Sequence, residues 1–179
     1  FSSRGLGDVY KRQVLTGETF WLSETPSKPS IGWDAALNRV ATVGVFKIIS
    51  SNKKLIVYNT HFDHIGIQAR EKSVTVILNH IKDNDFINNA TVVMGDLNAE
   101  PSDAPIKLLA ENLEDSFNFF PIEKPFGTFS GFDLESKLLN RIDYIFTKNI
   151  KVIDYRHIQK RLPNKLWPSD HLPIFISIN

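Results

Sequence analysis

Two groups of residues in this chain have the types and spacing to activate water beside a negatively charged group. The string GDLNAEP, Gly95 to Pro101, follows the apolar run Thr91, Val92, Val93, Met94. A short β-branched run bounded by glycine reads as a buried strand, with Asp96 at its exit and Asn98 two residues further on. Side chains at i and i+2 of extended backbone face the same way. A carboxylate that orients or deprotonates water would then stand beside an amide that holds it. A plain turn accounts for the same string, because Gly, Asp, Asn and Pro are ordinary turn residues. The second group is Asp143 in RIDYIF with His171 in SDHLP. A carboxylate that accepts from one imidazole nitrogen fixes the tautomer and raises basicity at the other.

Further polar residues fall at predicted strand ends: Asn59, His61, Asp63 and His64 in NTHFDH, Arg141 before Asp143, and Ser169 with Asp170 before His171. Loops at strand ends converge on clefts, which scattered polar residues do not favour. Each has a plainer reading. His61 could be a satisfied histidine, Arg141 a surface ion pair of little worth, and Asp170 the end of a loop. The joint order of the clusters, not any one of them, argues for a site. Asp96 and Asp170 are hard oxygen ligands suited to Mg²⁺, which keeps several waters and takes one or two carboxylates. Zinc fits less well, because the histidines lack tight ligand spacing.

The elements that would position these groups are legible from periodicity. A short aromatic strand is expected over Glu18 to Leu22, followed by the loop SETPSKPSIG. Asn38 to Ile49 alternates, with Val40, Thr42, Gly44, Phe46 and Ile48 on one face and Val43 and Val45 on the other. Ser51, Asn52 and Lys53 turn it into a second strand, Leu55 to Thr60. Ile67, Val74, Ile77, Leu78 and Ile81 recur at helical spacing, which predicts an amphipathic helix over Gln68 to Asp83. A second helix is expected from Pro105 to about Glu111, capped by Ser102 or Asp103. Strands follow at Ile142 to Thr147, Ile150 to Ile158 and Leu172 to Ile178. Mostly antiparallel strands with two outlying helices predict an α+β sandwich. Residues 112 to 135 are rich in phenylalanine, including Phe117, Phe119, Phe120, Phe126, Phe129 and Phe132, some of which must be core.

Composition bounds the rest. At 179 residues, with 42% hydrophobic and 23% charged, the chain is long enough for one domain with its own core. A net charge of +1 provides no global field for nucleic acid. The absence of cysteine excludes disulfides and thiol chemistry. No apolar run approaches the ~20 residues of a bilayer span, so no membrane span is expected. A monomer is expected, and the compartment, cytoplasmic or exported, stays open. Residues 1 to 13, FSSRGLGDVYKRQ, lack periodicity and resemble a translated linker, so they read as a non-native or disordered tail before a domain over 14–179.

The ordered set NTHFDH, GDLNAEP, RIDYIF and SDHLP resembles the endonuclease/exonuclease/phosphatase superfamily, the deoxyribonuclease I-like hydrolases. The resemblance covers about residues 18 to 179, and FWLSETP, GWDAALNR and GTFSGF are most similar to its bacterial metal-dependent members. It implies a four-layered α/β sandwich and hydrolysis of a phosphodiester or phosphomonoester by activated water, with Mg²⁺ or Mn²⁺. By motif, Asp96 would orient or deprotonate the water and Asn98 would hold water or a phosphate oxygen. His171 would stabilise the phosphate's developing charge with support from Asp143, and His61 would hydrogen-bond it. Asp170 would lie at the metal with Asp96, and Arg39 could bind phosphate as a fixed cation. Asn59, Phe129, Phe132 and Trp33 are candidates for substrate contact, with Trp167 as a further cleft wall. Nucleic acid or a nucleotide is one substrate class, and Lys160, Arg161 and Lys165 form the local basic cluster it would need. Family members also carry an early Asn and a metal-binding Glu that have no counterpart before Glu18. The expectation is therefore that ~80 to 100 N-terminal residues of the domain are missing and that the fragment is impaired. The alternative is a catalytically silent sandwich serving as a binding or scaffold module.

Overall fold

The computed structural model describes residues 12–120 and 127–179. Strands β1 (Arg12–Trp21), β2 (Val40–Ile48) and β3 (Lys53–His61) form an antiparallel meander. Helix α1 (Ile67–Asp83) then carries the chain back, so that β4 (Ala90–Asp96) runs parallel to β3. After α2 (Ala104–Ala110) come the two-residue β5 (Glu114–Asp115) and β6 (Asp143–Lys148), which pairs antiparallel with both β4 and β5. The sheet order is β1-β2-β3-β4-β6-β5, and β7 (Val152–His157) with β8 (Ile174–Ile178) makes a separate antiparallel pair.

Alternation sorts the large sheet into two apolar faces. Ala41, Val43, Ile56, Tyr58, Val93 and Phe146 point to one side, against Val74, Ile77 and Ile81 of α1 and Ile106 and Leu109 of α2. Leu55, Val92 and Ile145 point to the other, where Phe46, Ile48 and Met94 meet Ile174, Ile176 and Ile178 of β8. The described residues form a helix layer, a mixed sheet and a second smaller sheet, three of the four layers that the resemblance implies, in an α+β sandwich of deoxyribonuclease I-like type. Each fully buried Ile or Val of α1 contributes about 1.5–3 kcal/mol relative to exposure. The helix has no side-chain cap of its own at Gly66, and Asp34 supplies one from a distant loop, accepting from Gln68 N at 3.1 Å and Ala69 N at 2.7 Å. Near its other end His80 lies between the Tyr58 hydroxyl, 2.8 Å from Nδ1, and Glu18, 3.0 Å from Nε2, which ties the helix to β3 and β1.

The elements differ from expectation at their ends. β1 starts at Arg12, six residues before the expected onset, with Arg12 opposite Ile48 and Gln13 opposite Lys47. Its first eight side chains are exposed, so main-chain pairing with β2 extends it and no apolar pattern marks it. Residues 1–11 of the expected tail, and Phe126, lie outside the described residues. Ile67, expected on the apolar stripe of α1, is 68% exposed because it opens the helix beyond the sheet.

Behind β6 lies a buried polar knot. Arg141, 7% exposed, donates to Asp115 at 2.7 Å, and its guanidinium sits 4.4 Å from the ring centroids of both Phe117 and Tyr144. It is therefore not the weak surface pair that the sequence leaves open. Removing one partner of a buried pair strands the other charge. Asp115→Ala should thus cost about 3–5 kcal/mol in denaturant unfolding, several times the loss from an exposed carboxylate such as Glu114. The knot also has a pH signature. Burial, with Arg141 behind it, pushes His157 down to about 4. An imidazole in the unfolded chain titrates near ~6.5. A depressed folded value means stability that is full above about 6.5 and is lost as pH falls through about 4. Thermal melts over that window should show the decline, and His157→Gln should flatten it.

Candidate active site

Three adjacent strands end in one row of polar groups. In the β3–β4 register His61 lies opposite Asp96, and in the β4–β6 register Asp96 lies opposite Asp143. Directly paired residues project to the same face, here the face turned toward the small sheet. The row depends on a close approach at Gly95, whose φ is +142° and where a Cβ would fall 1.8 Å from the Thr60 carbonyl oxygen. No other residue fits there. Asp96 Oδ2 stands 3.2 Å from His61 Nε2 and 3.8 Å from His171 Nε2.

Asn98 occupies a different position from the one extended backbone would give it. Its φ of 46° is left-handed, and the chain turns so that Asn98 N donates to Asp96 Oδ1 at 2.8 Å. The side-chain amide donates to the Phe62 carbonyl at 3.0 Å and to Asp96 Oδ2 at 3.4 Å. GDLNAEP is thus a turn that also keeps Asn98 beside Asp96, with the amide serving as a brace on the carboxylate.

The small sheet delivers the other half. His171, just before β8, pairs through Nδ1 with Asp143 Oδ2 at 2.8 Å, so Nε2 is turned toward Asp96. Burial opposes a charge on His171, but the Asp143 hydrogen bond and charge, with Asp96 and Asp170 beyond, outweigh it and hold its pKa above the ordinary imidazole value. On His61 burial prevails: it lowers the pKa against the attraction of Asp96, with Arg39 and His171 adding to the decrease. Burial likewise raises Asp143 against its hydrogen bonds with Thr128 and His171. The two histidines are thereby split, one biased to carry a proton and one biased to be neutral.

Thr128 is a site residue that no spacing rule singles out, although it stands in the GTFSGF string. It is fully buried, and its hydroxyl accepts from Ile142 N and Asp143 N, each at 3.1 Å. Its carbonyl accepts from Leu172 N at 2.7 Å, so one residue fixes the backbone beside both Asp143 and His171. Phe129 pairs with His171 in an isolated bridge and its ring centroid lies 5.0 Å from the imidazole. The Asp170 carbonyl accepts from Ser130 N at 2.7 Å, while its carboxylate accepts from the Ser169 hydroxyl at 3.3 Å.

Beside Asp96 and His61 opens a cavity of about 390 Å³, also lined by Asn38, Arg39, Thr42, Asn59 and Thr60. Arg39 and Asn59 thus lie beside the row. Trp33 does not line it: it lies under the Lys72 ammonium at 5.6 Å, and its N–H donates to Glu24 at 3.3 Å. Phe132 is 61% exposed on a turn that follows Phe129. Trp167 is no cleft wall but is buried with Leu138 and Leu172. Arg161 stacks on it at 4.1 Å and donates to the Leu134 and Lys165 carbonyls, so the basic cluster is partly committed to loop structure. Among the described residues no three His, Asp or Glu side chains group to hold a metal ion.

Comparison with known proteins agrees with this fold. A solved conserved protein of unknown function from Enterococcus faecalis is 35% identical with a TM-score of 0.87, over 94% of this chain and 67% of that one. A mannosyl-6-phosphatase from Bacteroides thetaiotaomicron is 29% identical with a TM-score of 0.84, over 95% of this chain and 68% of that one. An uncharacterized protein of Acanthamoeba polyphaga mimivirus is 28% identical over 98% of this chain and 70% of its own length. The chain thus spans about two thirds of the length of these relatives. With the family model of that description matching residues 11–171, the chain belongs to the Endonuclease/Exonuclease/phosphatase family.

Proposed function

We propose that this domain hydrolyses a phosphoester by attack of a water that Asp96 orients. The observation that carries the reading is the line His61, Asp96, His171, Asp143, assembled from the ends of two sheets with each member in contact with the next. Asn98 and His61 fix the carboxylate, leaving it aimed at the gap between the two imidazoles. Asp143 holds His171 with Nε2 facing that gap, ready to donate to a phosphoryl oxygen as charge builds there. Arg39 adds a fixed cation and Asn59 an amide to the cavity beside His61, while Phe129 backs His171. Asp96 and Asp170 are the oxygen donors this chain offers to Mg²⁺ or Mn²⁺, and two carboxylates suit an ion that keeps several waters. When bound, such an ion would neutralise charge on the phosphoryl oxygens.

The mannosyl-6-phosphatase relative supports a sugar phosphate as one substrate, beside the diester or nucleotide class. Turnover of mannose 6-phosphate, p-nitrophenyl phosphate and bis-p-nitrophenyl phosphate, with Mg²⁺ or with a chelator, tests the reading. Cleavage of at least one should occur, should fall on chelation, and should drop about 10²- to 10⁴-fold in Asp96→Asn with the melting temperature little changed. Asp143→Asn should reduce it less, because the imidazole survives but loses its orientation. No turnover of any of the three would favour the binding-module reading, and an unimpaired Asp96→Asn would reject the role given to that residue.

A further inference from the structure

Asp63 belongs to none of the pairs that make up the reacting row, yet it is among the most heavily committed groups near it. Its side chain is 1% exposed. Oδ1 accepts from Ile65 N at 2.9 Å and Gly66 N at 2.7 Å, and Oδ2 accepts from Leu37 N at 3.1 Å. The first two donors belong to the segment leaving β3 and the third to the loop entering β2, so one carboxylate joins the two chain segments that flank the cavity. The Arg70 guanidinium of α1 donates to the Asp63 carbonyl at 3.0 Å and anchors it from behind. Burial works against the Asp63 charge, and the N–H groups of Gly66, Ile65, Ala36 and Leu37 more than offset it, holding the carboxyl well below the usual range.

Arg39 Nε also faces Oδ2, at 3.5 Å. Arg39 Nη2 also lies 3.2 Å from His64 Nδ1. A guanidinium has donors only, so this nitrogen of His64 must be the acceptor and the imidazole must carry its proton on Nε2. Arg39 is therefore held on two sides, by a buried anion and by a neutral imidazole, while it lines the cavity with His61, Asn59 and Asp96. A guanidinium on a flexible stem normally loses rotamer freedom when it grips a ligand. Here that freedom is removed before any ligand arrives.

We propose that Asp63 is a positioning residue, which orients the Arg39 guanidinium so that the cavity beside Asp96 receives the phosphoryl group on a preset cation. This rests on the assignment of Arg39 to phosphate binding under the proposed function. It adds that a buried carboxylate outside the reacting row sets the strength of that contact.

The Arg39 Nε–H signal in ¹H–¹⁵N spectra reads the positioning directly. It should be resolved in the unaltered chain and averaged with free side chains in Asp63→Asn, a change that keeps an oxygen for Ile65 N and Gly66 N. Titration with inorganic phosphate reads the consequence. Affinity should fall about tenfold in Asp63→Asn, the scale of one lost charge-assisted hydrogen bond. It should fall similarly in Arg39→Lys, which keeps the charge but has no Nε donor and leaves Asp63 intact. In an Arg39→Ala background Asp63→Asn should add nothing, whereas a general loosening of the loops would weaken binding there too. An unchanged Arg39 signal in Asp63→Asn, or additive losses in the double variant, would overturn the proposal. Failure of the unaltered chain to bind phosphate, with the Arg39 signal still dependent on Asp63, would reject the functional reading and leave the positioning role standing.

Discussion

The site depends on the parallel alignment of β3 and β4 up to their shared end. Seven registered pairs bring His61 level with Asp96, and the last of the ladder is possible only because Gly95 lets the Thr60 carbonyl approach to within a distance that a Cβ would occupy. A slip of one residue would turn Asp96 toward the helix layer and the apolar neighbours toward the cavity. Register is held by burial on both faces, since Val93 is packed against the helices while Val92 and Met94 face the small sheet. Hydrophobic burial thus specifies the position of a carboxylate to which it makes no direct contact.

The second requirement is that two sheets meet. Asp96, His61 and Asp143 are carried by the large sheet, whereas His171 arrives on the segment that enters β8. What joins them is local and polar: the His171–Asp143 bond, the paired backbone of Phe129 and His171, and the buried Thr128 that bonds the main chain on both sides. The isoleucines of β8 supply the attraction between layers, and these few hydrogen bonds supply its alignment.

Much of this was readable in the sequence. A strand ending in NTHFDH, one ending in GDLNAEP and one beginning in RIDYIF stand out because β-branched alternation meets polar residues at one point in each. The parallel pairing of β3 and β4 is not visible in either strand, since it follows from α1 returning the chain across the sheet. Asn98 was assigned to the site but its left-handed backbone was not foreseen, because extended and turned chains share the same residue types there. The sequence leaves Arg141 open between a site cluster and a surface ion pair, because its partner, Asp115, lies 26 positions away in a two-residue strand with no periodicity of its own. Trp33 and Trp167 are expected to face substrate, but a large aromatic serves a small satellite core as readily, as Trp167 does with Leu138 and Leu172.

The junction between the sheets has a consequence for how the molecule loses function. β8 packs on the large sheet through Ile174, Ile176 and Ile178, which are only partly buried, so the β7–β8 pair can open locally at a lower free energy than global unfolding requires. Detachment would remove His171 while leaving the carboxylate row in place. Catalytic competence would then behave as a separate cooperative unit, fading under mild denaturant or heat while the helix-backed sheet still gives a folded signal.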